Sequence, residues 1–213
     1  WSELLSTSVI TVRNIRHPKL TTQIEREMQI LQLLKLFLLP LTVVGVLSAL
    51  IPVIMKTDIL VLQNSMGETS ITEFMQQLML LVAVVVFYLN AKVDAKGRAF
   101  WILVAGFFGC MFLRELDHYM DFIAHGFWFY PTITLAIVTI FYSIKNGENM
   151  VETAIEFKQG NSYLFIFIGL VVVLIFSRVF GTGSLWEDLM ANNYDRLYKT
   201  IIQESLELFG YLL

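Results

Sequence analysis

Charge is what this sequence has least of. Across 213 residues, Asp, Glu, Lys and Arg make up 15%, against about a quarter in soluble domains. Apolar residues make up 56% and the mean hydropathy is +0.66, a balance that excludes an ordinary soluble domain. There is one cysteine, Cys110, inside an apolar segment, so neither an internal disulfide nor a thiolate metal cluster can be built. A long basic run is also lacking, and 15 Lys and Arg stand against 18 Asp and Glu for a formal charge of −3. Nucleic acid is therefore excluded as a partner. No repeat period or low-complexity tract is present, and the longest polar connection is 182–196. The chain opens on Trp1 and stops at Leu213 within an apolar run, which reads as trimming at both ends.

What is present in abundance is apolar sequence in stretches near the roughly 20 residues that a helix needs to span a bilayer. The expected fold is all-α, a polytopic membrane helix bundle of about six spans. They are Phe37–Met55, Phe74–Asn90, Ala99–His125, Phe127–Ile144, Tyr163–Phe180 and a last one that starts near Leu197 and is cut off at Leu213. Residues 37–213 form the transmembrane domain, and residues 1–36 form a cytoplasmic or interfacial segment. Within that segment Ile24, Met28, Leu31 and Leu34 recur at helical spacing, so Gln23–Leu36 predicts an amphipathic helix that lies on the membrane or leads into the first span. Its apolar stripe, flanked by charge, suits a cytoplasmic protein partner at 23–36.

Cytoplasmic loops of membrane proteins are enriched in Lys and Arg. Ten lie in the N-terminal segment, the 91–98 loop and the 145–162 loop; the alternate side has five, Lys56, Arg114, Arg178, Arg196 and Lys199. The asymmetry places the N-terminus in the cytoplasm and the 114–126 and 178–196 segments outside.

Polar chemistry concentrates at that outer side. At about 100° per residue, Arg114, Asp117, His118, Asp121 and His125 share an arc of about 100° on one helix. Charged side chains within spans must face the bundle interior or water. Topology brings Ser70-Ile-Thr-Glu73, a capping-box spacing, to the same side, with Gln76, Gln77, Ser177 and Arg178. Arg196, Lys199, Gln203 and Glu207 share a face of the last helix. Three readings are open. Arg114, Arg178 and Arg196 neutralise Asp117, Asp121, Glu204 and Glu207 in a structural network. Alternatively His118, Asp121 and His125, with Glu73 or Glu207, hold a divalent metal (Zn, Mn or Fe). In the third, the same groups relay protons or ions. Arg114 is expected to pair with Glu204, Glu207 or Glu73. Gly181-Thr-Gly-Ser184 reads as a turn, and Trp186–Met190 as a short amphipathic anchor.

The stretches Arg114-Glu-Leu-Asp with His125-Gly-Phe-Trp, Phe176-Ser-Arg-Val-Phe-Gly181 with Leu185-Trp, and Glu204-x-x-Glu207-Leu-Phe-Gly-Tyr211 resemble an uncharacterised family of bacterial polytopic inner-membrane proteins. That resemblance covers residues 37–213 and implies topology and a bacterial inner-membrane location without a reaction. A distant similarity to ceramidase-type membrane hydrolases implies His and Asp gathered at one leaflet, but their His-x-x-x-His pair is absent here. The expected function is a non-enzymatic sensor, accessory subunit or ion-handling component of a homo- or hetero-oligomeric complex in the lipid bilayer. The alternative is a membrane-embedded metal-dependent hydrolase acting on a lipid-like substrate.

Overall fold

The computed structural model describes residues 18–63 and 70–213, all helical apart from short connections. It divides into two compact units, Trp1–Gly45 and Val46–Leu213. Helix α1 (Pro18–Lys56) starts at Pro18 and supplies the described residues of the first unit, while its residues 46–56 belong to the second. Met28, Leu31 and Leu34 are exposed as the helical spacing predicts, but so are Ile30, Leu33, Leu36 and Phe37 on the other faces. Residues 36–55 of this helix carry no charged side chain, and Arg26–Val61 is long and apolar enough to cross a membrane. Ile24 belongs to the residues whose side chains lie outside the description.

The second unit contains α2 (Ile71–Val93), α3 (Arg98–Glu115), α4 (Asp117–Asp121), α5 (Phe129–Lys145), α6 (Met150–Gln159), α7 (Asn161–Val171), α8 (Ser177–Phe180), α9 (Gly183–Met190) and α10 (Arg196–Leu212). A π turn, Val172–Phe176, joins α7 to α8, and another, Thr57–Val61, follows α1. Its centre is the α2–α3 hairpin, against which α5 packs on the α3 side and α10 on the α2 side. Leu80, Phe87, Ala105 and Phe108 form its core, with the Phe87 and Phe108 rings stacked at 5.3 Å. A second, smaller core joins Ile51 and Met55 of α1 to Leu208 of α10.

Caps place the helix ends. Ser70 Oγ accepts from Glu73 N at 3.2 Å, the bond that its spacing predicts. Asp58, fully buried in the first π turn, reinforces the same start by accepting from the Ile71 and Thr72 backbone N–H groups and the Thr72 hydroxyl. The α2–α3 corner is tied by Asp94, which accepts from the Lys96 and Gly97 N–H groups and from the Trp101 indole. These bonds, the Gly97 one first, hold the Asp94 carboxyl below its ordinary value. A group lowered in the folded state adds stability above its unfolded value, near 3.9, and loses it as pH falls through the folded value. Wild-type protein in detergent should therefore lose more melting temperature than Asp94→Asn between about pH 5 and 3; identical pH profiles would show that Asp94 is unlinked to folding.

Small residues set the helix crossings, as they do where backbones approach in membranes. A Cβ on Gly169 would lie 2.5 Å from the Gly210 carbonyl, and one on Gly106 would meet the Thr139 side chain at 2.5 Å. Burial is also inverted relative to a soluble protein. Thr72, Gln76, Thr139, Ser143, Ser177 and Glu207 are buried, while Ile137, Phe141, Ile144, Leu89 and Leu164 are exposed. Ser143 Oγ, for example, donates to Ala99 O between α5 and α3.

Among the described residues three helical segments are long and apolar enough to cross a membrane, Arg26–Val61, Ile71–Val93 and Ser162–Phe180; α5, with 17 residues, is a shorter apolar helix. The others of the six expected fall short for a chemical reason. Eighteen-residue α3 includes Arg98, Arg114 and Glu115, and α10 carries Arg196, Lys199, Glu204 and Glu207. Two further differences arise in the connections. Residues 150–159, expected as loop, form α6, which docks through Phe157 against Trp101 at 5.4 Å. The expected Gly181–Ser184 turn gives way at Gly183 to α9, which covers the Trp186–Met190 anchor.

Candidate functional site

The expected single stripe from Arg114 to His125 does not form. Helix α3 ends at Glu115, Leu116 leaves helical geometry at φ −94° and ψ 11°, and α4 spans only Asp117–Asp121. Beyond it Gly126 adopts φ +77°, so His125 sits in a turn and not on a span. Asp121 closes this turn: its carboxylate accepts from Gly126 N at 2.8 Å and pairs with His125 Nδ1 at 3.0 Å. The Gly126 N–H, aided by the His125 ring, holds the Asp121 carboxyl below its usual range. His125 is 99% exposed at its side chain, Asp117 is exposed and accepts from His118 N, and the His118 ring stands edge-on to Phe122.

The five candidate metal ligands are thereby separated. His118, Asp121 and His125 belong to α4 and the turn after it, Glu73 begins α2, and Glu207 is buried on α10 against Arg178. Among the described residues no group of three or more His, Cys, Asp or Glu is arranged to hold a metal ion. The end of α4 at Asp121 is the physical reason, because the i, i+3, i+7 geometry of His118, Asp121 and His125 needs a continuous helix, and His125 lies in the turn beyond it.

The charged groups that do converge come from α3, α8 and α10, with the amides of Gln76 and Gln77 from α2. Glu207, 2% exposed, accepts from an Arg178 guanidinium nitrogen at 3.2 Å and from Gln203 Nε2 at 3.2 Å. Arg178 follows Ser177, which with Gly169 and Val173 forms a buried stripe, and Gly169 and Val173 lie against Gly210 of α10. Gly181 contributes by being small, for a Cβ there would lie 2.5 Å from Gln203 Oε1. Next to this pair, Gln76 Nε2 donates to Glu204 Oε2 at 3.0 Å and to the Glu204 carbonyl at 3.2 Å.

A second pair completes the cluster. Arg114 bonds its neighbour Glu115 at 3.0 Å, at the last turn of α3, instead of the expected Glu204, Glu207 or Glu73; adjacency in sequence brings the two groups together without a contact between helices. The same Glu115 oxygen accepts from the Tyr211 hydroxyl at 3.0 Å, while the Glu115 carbonyl accepts from Gln77 Nε2 at 3.0 Å. Arg196, expected in the network, is exposed in the first turn of α10 behind the Asp195 cap.

Glu115, Tyr211 and Asp58 are the polar residues that pattern reasoning left without a role. Glu115 falls off the Arg114 stripe at helical spacing, and Tyr211 sits in an apolar run. A lone carboxylate, Asp58, ending a long apolar helix was the one readable signal, since such a group must find donors. The arrangement as a whole can hold charge inside an apolar bundle and respond to a change in that charge; it presents no nucleophile beside a base. No protein-family model, curated protein or solved structure matches the chain.

Proposed function

We propose that the chain is a polytopic integral membrane protein of a bacterial inner membrane, a non-enzymatic sensor or accessory subunit of an oligomeric complex, whose working element is the buried Arg–Glu cluster. In this reading six helical segments cross the bilayer: α1, α2, α3, α5, the α7–α8 unit and α10. The ten-to-five distribution of Lys and Arg puts the N-terminus in the cytoplasm and the cluster toward the outer leaflet. The observation that carries the reading is the buried Arg178–Glu207 pair, held with Glu204, Gln76 and Gln203 between α2, α8 and α10. Ionisable groups at such depth mark ion pathways and switches, and here the carboxylates face protein partners instead of a substrate-sized polar cavity.

Native mass spectrometry of the chain in lipid nanodiscs tests this reading. A defined oligomer whose assembly changes with pH or salt, and changes less in Arg178→Ala, is expected. A monomer indifferent to both would overturn it. Orientation is tested separately in a Cys110→Ser background. A cysteine at Asn146 should react with a membrane-impermeant maleimide only from the cytoplasmic face and one at Ile123 only from outside; the reverse at both positions would invert the topology.

A further inference from the structure

The cluster contains three carboxylates, Glu115, Glu204 and Glu207, and two guanidiniums, Arg114 and Arg178. Glu115 is bonded to Arg114 and Tyr211, and Glu207 to Arg178 and Gln203. Glu204 has no guanidinium bonded to it; its carboxylate meets the amide of Gln76. Gln76 is 1% exposed, and its Oε1 is buried with no hydrogen-bond partner. An orphaned buried acceptor is costly, and its position beside the one carboxylate of the cluster with no bonded cation links the two anomalies.

We propose that the cluster binds one proton on the side-chain carboxyl of Glu204. A carboxylic acid and a primary amide form a closed pair: the acid O–H donates to the amide oxygen, and the amide N–H donates to the acid carbonyl oxygen. With the proton in place, Glu204 donates to Gln76 Oε1 while Gln76 Nε2 keeps its bonds to Glu204 Oε2 and to the Glu204 carbonyl. One added proton thus satisfies the orphaned oxygen and brings three carboxyl groups and two guanidiniums to neutrality. It comes from water at the outer face and returns there, with no other bond made or broken.

The groups acting on Glu204 favour this site over its neighbours. Glu207 from its own helix and Glu115 from α3 oppose a charge on it, and Arg178 of α8 supports one while being bonded to Glu207. The α1 residues packed against α10, Ile51 and Met55, are apolar, Lys56 is exposed, and Asp58 serves the start of α2. Glu187 and Asp188 of α9 are exposed.

The inference rests on the buried cluster of the proposed function, and its test is separate from that of assembly. Infrared difference spectroscopy of the full chain in nanodiscs, in sodium-free buffer at neutral pH, should show the carbonyl stretch of a buried protonated carboxyl. The band should vanish in Glu204→Gln, shift in Gln76→Met, which removes its amide partner, and stay unchanged in Asp121→Asn, which lies outside the cluster. Its absence from wild type, its survival in Glu204→Gln, or its loss on adding sodium, which would make the occupant a metal cation, would each overturn the proposal. Carbon-13 spectra of wild-type protein labelled at glutamate side chains give the same answer without a variant: one carboxyl resonance at the protonated position supports it, and none there refutes it.

Discussion

Truncating Arg178 to alanine is expected to lower the melting temperature of the detergent-solubilised protein by on the order of 10 °C, while Lys145→Ala leaves it nearly unchanged. The asymmetry lies in what each substitution abandons. Glu207 has a side chain only 3% exposed, and Arg178 is its cationic partner at 3.2 Å. Removing one member of a buried pair leaves an uncompensated charge, at about 3–5 kcal/mol, and a domain of this size moves by about 2–4 °C per kcal/mol. Arg178 itself is 44% exposed, so the loss should fall toward the lower end of that range. Removing both partners, as Arg178→Met with Glu207→Leu, should recover much of the stability. A double variant as unstable as Arg178→Ala would show that the helices depend on the pair itself and not on the absence of a stranded charge.

Gly210→Ala is the second large effect expected. Alanine normally improves a helix interior by up to about 1 kcal/mol over glycine, so propensity alone predicts a gain. At Gly210 the new methyl would meet the Val173 side chain and lie 2.7 Å from the Gly169 carbonyl, a backbone atom that cannot rotate away. Overpacking of this kind costs about 1–3 kcal/mol, and the two helices must separate, which would carry Glu204 and Glu207 away from α2 and α8. Melting temperature should fall and the Arg178 and Gln76 contacts weaken together. At Gly45 nothing lies within 4 Å of the same added atom, so Gly45→Ala should be neutral or slightly stabilising. Equal responses at the two positions would remove the close crossing from the explanation.

Much of the architecture was legible because apolar run length and end signals act locally. The Ser70 cap and the Asp195 start of α10 follow from residue types that satisfy free N–H groups wherever they occur. The charged site was legible only in part, because it is made by contacts distant in sequence. Arg178, Glu204 and Glu207 were identified as members of a network, and the structure joins Arg178 to Glu207. The Arg114–His125 stripe failed because its periodicity assumed an unbroken helix. Nothing in the Glu115-Leu116-Asp117 string contains a proline or glycine to announce the break. The π turn before Ser177 was equally silent, since Val172–Phe176 reads as uniform apolar sequence and its extra residue is visible only in backbone geometry.

The inverted burial has a consequence for how this sequence can drift. At Ile137, Phe141, Ile144, Leu89 and Leu164 more than half of the residue surface faces the surroundings, so any apolar residue of similar bulk should be admitted. Gly106, Gly169, Gly210, Thr139, Ser143 and Ser177 lie at helix crossings, where one methylene alters the distance between backbones. In a water-soluble protein the large apolar positions would be the slowest to change. Here the exposed leucines and phenylalanines should exchange freely, while the slowest positions should be the glycines, serines and threonines at the crossings together with the few large side chains of the core, Leu80, Phe87, Phe108 and Leu208.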